Sequence, residues 1–210
     1  MACERTTCGV MASEVQAEPG RPGAPDPKPR IRLLCLGNEL LADDKSSYVV
    51  AGGGWRWPDV EVVFTSESGL HLIDYLTETD LLIVVDTIQV GSVPPGTICV
   101  LQPADIESAS GPSPHYMGLS ETLQLARKLL LEVPKEVIIL AVEAADCLTV
   151  GGAMHEAVSK SVELVIDVVN EIIHEWEAAP LGPGADFVVG RKRAIAAATA
   201  RWGSERLMAV

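Results

Sequence analysis

The chain has 210 residues, long enough for one domain with a sizeable core and tails to spare. Hydrophobic residues make up 48% of it but aromatics only 4%, so the core must be built from Val, Ile, Leu and Ala. A formal net charge of −13 argues against nucleic acid and against an anionic membrane surface as partners. The five cysteines, Cys3, Cys8, Cys35, Cys99 and Cys147, are odd in number and form no CxxC pair, which speaks against a zinc or iron–sulfur centre. No stretch approaches the ~18 uninterrupted apolar residues of a membrane span. The N-terminus carries Glu4 and Arg5 where a signal peptide would be apolar. A reduced, cytoplasmic setting is the expectation.

Residues 1–29 hold Pro22, Pro25, Pro27 and Pro29 with Gly20 and Gly23, and read as a disordered leader. Leu33–Leu36 is an unbroken apolar run, the mark of a strand buried on both faces. It turns at Gly37-Asn38 and then presents two adjacent carboxylates, Asp43 and Asp44. These acids can cap a helix through Tyr48-Val49-Val50, since negative charge suits the positive end of the helix dipole. Gly52-Gly53-Gly54 stops that helix early.

Val60–Phe64 predicts a second strand, and Leu70, Ile73 and Leu76 place a short helix over Gly69–Leu76. Leu81–Val85 is the strongest strand signal, five aliphatics ended by Asp86. A turn-rich Gly91–Gly96 precedes a strand over Thr97–Leu101. Ser108–Pro114 reads as a polar loop, Leu119–Leu131 as a one-faced helix, and Val137–Val142 as another aliphatic strand. Ala153–Trp176 predicts a long amphipathic helix, with Val158, Val162, Val165, Ile166, Val169, Ile172 and Ile173 on its apolar stripe. His71, His155 and His174 fall in predicted helices, leaving His115 as the one histidine in a punctuated loop.

Strands alternating with helices predict a three-layer α/β/α sandwich around a mostly parallel twisted sheet of about five strands. Residues 30–177 form that domain. Pro180-Leu181-Gly182-Pro183-Gly184 opens a flexible, weakly helical C-terminal tail over 178–210, with a basic run at Arg191-Lys192-Arg193.

Three features could carry chemistry. The Asp43-Asp44 pair is one, although on its own an N-cap with a first-turn acid is the better account of it. Asp86, at the carboxyl edge of the sheet where α/β folds build sites, is the second; a loop cap is its plain alternative. The third is Ser113-Pro114-His115, where proline fixes the backbone beside an imidazole.

Taken together, these features resemble the hydrogenase maturation proteases. The resemblance is carried by G-N-x-L-L-x-D-D at Gly37–Asp44, by an aliphatic strand ending in Asp86, and by S-P-H-x-x-G-L at Ser113–Leu119. It runs from about Ile31 to about Trp176. Pro95-Gly96-Thr97 before one strand and Ala141-Val142-Glu143 after another also sit where the family has similar residues. The family's endopeptidases trim the C-terminus of the large-subunit precursor of nickel–iron hydrogenase and are catalogued as aspartic-type.

The resemblance implies that Asp44, Asp86 and His115 bind nickel carried by the precursor, so the metal is delivered by the substrate and no other cofactor is expected. Oxygen and imidazole donors suit nickel. Asp43, Asp44 and Asp86 are the implied catalytic carboxylates, with Asp43 as general base or as an orienter of the ligand beside it. Gly37, Asn38, Glu67 and Gly69 are implied to line the substrate channel. The partner is the precursor, and the free protein is expected to be a monomer.

The chain departs from the family pattern in two places. Asp44 is followed by Lys45-Ser46-Ser47, where the family has glycines, and Lys45 sets a cation beside the acids. The loop after the second strand is Thr65-Ser66-Glu67-Ser68-Gly69, with only Gly69 in a matching place. A divergent protease fits these departures. So does a catalytically impaired relative that docks the metallated precursor without cutting it. Another hydrolase on the same fold, such as a spore-protein protease relative, is a third reading.

Overall fold

The computed structural model describes residues 30–103, 105 and 116–178, and, toward the C-terminus, 192, 195–196, 199–201, 203 and 206–209. The readings of residues 1–29 as a leader and of Ser108–Pro114 as a loop lie outside the described residues, as does most of the tail. The elements follow in the order β1 (Ile31–Leu36), α1 (Ser46–Ala51), β2 (Val60–Thr65), a 3-10 turn (Gly69–Leu72) running into α2 (Ile73–Leu76), β3 (Leu81–Ile88) and β4 (Ile98–Leu101). Then come α3 (Tyr116–Lys128), β5 (Glu136–Glu143), α4 (Glu156–Ala178) and β6 (Leu207–Ala209).

One six-stranded sheet runs in the order β2-β1-β3-β5-β4-β6. Strands β2, β1, β3 and β5 are mutually parallel, β4 is antiparallel to β5, and β6 pairs parallel to β4. Its two faces can be read from alternation along the strands. Leu33 and Cys35 of β1, Ile83 and Val85 of β3 and Leu140 and Val142 of β5 pack with Val50 of α1 and the apolar stripe of α4. Leu34 and Leu36, Leu82 and Val84, and Ile139 and Ala141 pack with Leu72, Leu76, Leu119 and Leu123 on the other face. Helices therefore cover both sides, and the three-layer mostly parallel sandwich is what the structure shows. The aliphatic core also holds: apart from Trp176, its largest fully buried side chains are Leu and Ile.

Four elements differ from the sequence expectation. The sheet has six strands because Leu207–Ala209, in the stretch read as a tail, adds to the edge of β4 and buries Leu207. Strand β3 continues two residues past Asp86, since the partner β5 extends to Glu143 and pairs Ile88 with it. Helix α3 spans Tyr116–Lys128 rather than reaching Leu131. It is closed by Leu130 at φ +57, and the three leucines at 129–131 are left exposed. Helix α4 starts at Glu156 instead of Ala153. His155 thus precedes the helix: its carbonyl accepts the Ser159 N–H and its Nδ1 accepts the Ala157 N–H at 3.3 Å.

The connection from β1 runs through α1 on one face to β2, while the chain from β3 leaves toward β4 and β5. Departures in opposite directions open a crevice at the carboxyl ends of β1 and β3, the place where open α/β sheets put their sites. Among the described residues no helix is long and apolar enough to cross a membrane.

Candidate active site

The turn after β1 is built by Gly37 and Asn38. The Gly37 N–H donates to the Thr65 carbonyl at 3.2 Å. A Cβ on Gly37 would lie 2.4 Å from the Asp44 carbonyl oxygen, so only glycine lets the chain fold back this closely. Asn38 holds the next residues: its Oδ1 accepts the Leu40 N–H at 3.0 Å and its carbonyl accepts the Leu41 N–H. The result is that Asp43 and Asp44 are delivered into the crevice, both buried, at 0% and 6% exposure.

Neither acid caps α1. The helix begins after Lys45, has no side-chain cap bond and has no acid in its first turn. Stronger partners have taken both carboxylates. Asp43 accepts three backbone N–H groups from the segment after β5: Ala145 and Asp146 on Oδ2, both at 2.8 Å, and His155 on Oδ1 at 2.6 Å. Its own N–H donates to the Asp146 carbonyl. Asp43 therefore ties the β1–α1 turn to the β5–α4 loop and fixes the start of α4.

Asp44 Oδ1 accepts a hydrogen bond from the Thr87 hydroxyl. The Thr87 backbone N–H donates to Asp86 Oδ1 at 2.7 Å. One residue of β3 thus touches both acids. By strand alternation Asp86 belongs to the face covered by α3, following Leu82 and Val84, while Thr87 follows Val85 onto the face of α1 and α4. Asp86 is wholly buried. Cys147 sits against this group, within hydrogen-bonding reach of Thr87. Burial raises its thiol to about 12; the Thr87 contact lowers it, and the charges of Asp44, Asp43 and Asp86 add to the rise. Three carboxylates and a protonated thiol thus share one small region at the carboxyl edge.

The opposite wall is set by glycines. Gly69, at φ +60, meets Gly118 in α3 so closely that a Cβ on Gly118 would lie 2.4 Å from the Gly69 nitrogen. Thr122 Oγ1 donates within 3.0 Å of the Gly69 carbonyl and also contacts the Gly118 carbonyl. These contacts bolt the loop after β2 to the first turn of α3. Glu67, in that loop, is exposed and accepts a hydrogen bond from the Tyr75 hydroxyl at 3.0 Å. His115, one residue before α3, lies outside the described residues.

Lys45 does not turn to the acids: its Nζ donates to the Gly152 carbonyl at 2.6 Å. Ser46 and Ser47 are buried in α1, with no partner for their hydroxyl oxygens among the described residues. Two residues of this region escaped the sequence reading as site candidates. Thr87 lay just past the predicted end of a strand, and Cys147 in a loop without motif. Glu143, noted only for its place in the family pattern, is buried on the α3 side of β5. Its Oε1 accepts the Val90 and Gly91 N–H groups at 2.9 and 2.6 Å, while Oε2 is buried without a partner among the described residues.

Chemically, paired carboxylates in a crevice can take a proton from water or give oxygen donors to a cation. Among the described residues no group of three His, Cys, Asp or Glu side chains is arranged to hold a metal. A third donor to Asp44 and Asp86 would have to come from elsewhere.

A family model described as hydrogenase maturation protease matches residues 55–172, more than half of the chain. The chain is 29% identical over 154 residues to the hydrogenase expression/formation protein HupD of Bradyrhizobium diazoefficiens, covering 70% of this chain and 79% of that protein. It is 26% identical over 182 residues to HupM of Azotobacter chroococcum, covering 79% and 86%. Among solved structures, it superimposes on the hydrogenase maturating endopeptidase HybD from E. coli with a TM-score of 0.60 and 25% identity, covering 71% of this chain and 94% of that one. The hydrogenase maturation protease HybD from Thermococcus kodakarensis shares the fold at a TM-score of 0.54 and 21% identity, with 68% and 98% covered.

Proposed function

The chain belongs to the hydrogenase maturation protease family, and from that premise we propose that it is an endopeptidase that removes the C-terminal extension of a nickel–iron hydrogenase large-subunit precursor once nickel has been inserted. The observation that carries this reading is the meeting of Asp44 and Asp86 through Thr87 at the β1–β3 crevice. Two separate sequence motifs supply the acids, and the fold brings them together where a site belongs. The third motif, Ser113-Pro114-His115, leads directly into α3, which is bolted beside the same crevice through Gly118.

In this reading nickel is part of the substrate. Asp44 and Asp86 offer it carboxylate oxygens and His115 an imidazole nitrogen, a donor set that suits nickel. The same carboxylates are the groups able to activate water for attack on the scissile carbonyl. Asp43, with its oxygens engaged by three backbone N–H groups, holds the frame and leaves proton transfer to its neighbours. Gly37, Asn38, Glu67 and Gly69 shape the channel walls. The compartment is the cytoplasm, where the described cysteines stay free.

The absence of glycines after Asp44 favours a second reading, in which the protein docks the metallated precursor without cutting it. One experiment separates the two. Nickel-loaded and nickel-free precursor are incubated with the protein, and the precursor's C-terminus is read by mass spectrometry. Trimming of the loaded form alone, lost in Asp86→Asn and His115→Ala, is the expected result. Equal trimming without nickel refutes metal recognition. Binding without trimming establishes the docking reading.

A further inference from the structure

We propose that Thr87 is a positioning residue that holds the two acids of the site in fixed relation, the hydroxyl orienting Asp44 and the backbone N–H orienting Asp86. This rests on the proposed protease reading for its activity test, but its geometry stands on its own. Asp44 comes from the turn between β1 and α1 and Asp86 from β3, 42 positions apart in the chain. Thr87 contributes both donors from a single position in a buried strand, paired there with Val142 of β5 beyond the last β1 pair at Val85. A β-branched side chain in a strand has few rotamers open to it, and Thr87 is only 4% exposed. Its hydroxyl is therefore pre-aimed instead of searching.

A hydroxyl has one proton to give and two lone pairs to accept with. The carboxylate of Asp44 cannot donate when ionised, so the proton of Thr87 goes to it. That bond occupies Oδ1 and leaves Asp44 its other oxygen, Oδ2, to offer to the substrate. The backbone N–H holds Asp86 through Oδ1. Partners of this kind orient carboxylates that bind metal.

Two substitutions separate orientation from bulk. Thr87→Val keeps the shape and removes the hydroxyl; Thr87→Ser keeps the hydroxyl. Cleavage of nickel-loaded precursor is measured as kcat and KM, with thermal melting as the check that each variant folds. Loss of an orienting partner predicts about a 10- to 100-fold fall in kcat/KM for Thr87→Val and rescue to near the parent value in Thr87→Ser. Thr87→Val turning over like the parent overturns the proposal, as does Thr87→Ser failing as badly as Thr87→Val while both remain folded. If the parent protein itself cleaves no precursor, the protease reading fails separately. Crystal structures of parent and Thr87→Val then decide the matter: an Asp44 carboxylate that keeps its rotamer without the hydroxyl refutes the role of Thr87, and one that swings away upholds it.

Discussion

Asp43→Asn tests the division of labour between the adjacent acids. The parent carboxylate is fully buried and accepts three backbone N–H groups at 2.6–2.8 Å. An amide keeps one accepting oxygen. In its best orientation that oxygen faces Ala145 and Asp146, and the NH2 is turned on the His155 N–H, donor against donor. The lost charge-assisted bond is worth about 1.5–3 kcal/mol, and the two that remain drop from charged to neutral strength, roughly 1 kcal/mol each. Relief of carboxylate desolvation offsets part of this. The net expectation is a loss of about 3 kcal/mol, against a total stability of roughly 5–15 kcal/mol for a domain of ordinary stability. Urea unfolding followed by circular dichroism reads it as a midpoint lower by roughly 1–2 M, taking m near 2 kcal/mol/M. Hydrogen exchange at the His155 amide should accelerate, because that N–H loses its acceptor. A midpoint shift corresponding to less than about 1 kcal/mol, a small share of what three charge-assisted bonds should hold, would show that the brace does not bear on folding.

Three further outcomes follow from the same contacts. Gly118→Ala drives a methyl to within 2.4 Å of the Gly69 backbone; it should cost about 1–3 kcal/mol by overpacking and lower precursor cleavage by parting α3 from the loop, as checked by a melting curve and an activity assay. Leu130→Gly should raise stability by about 0.5–1 kcal/mol, because the residue is 91% exposed and held at φ +57, where a side chain is strained; differential scanning calorimetry would show a higher Tm. Cys147 should resist alkylation at neutral pH although it is only partly buried. With its thiol raised to about 12, only the rare thiolate reacts, so labelling should climb about tenfold per pH unit beyond pH 9, where an ordinary thiol levels off. Peptide mass spectrometry after iodoacetamide pulses checks this, and Asp44→Asn should speed the reaction by removing a neighbouring negative charge.

Much of the molecule was determined locally. The aliphatic runs at Leu33–Leu36, Leu81–Val85 and Val137–Val142 had to become buried strands, since no other arrangement removes so many consecutive β-branched and leucine side chains from water. The apolar stripe from Val158 to Ile173 had to be a helix lying on them. Strand–helix alternation then fixed the layered architecture, and the G-N-x-L-L-x-D-D, strand-Asp and S-P-H-x-x-G-L pattern pointed to the family. What tertiary structure alone decided is who pairs with whom. A carboxylate beside a helix start is a natural cap by sequence. Yet Asp43 is claimed by N–H groups 102 to 112 residues away, and Asp44 by a hydroxyl on β3. Strand β6 was invisible for the same reason: three residues pair because an edge strand offers free N–H and C=O groups, and no local pattern marks that. Hydrophobic burial is additive along the chain and can be read from it, whereas the choice of hydrogen-bond partner depends on which buried donors the finished fold leaves needing an acceptor.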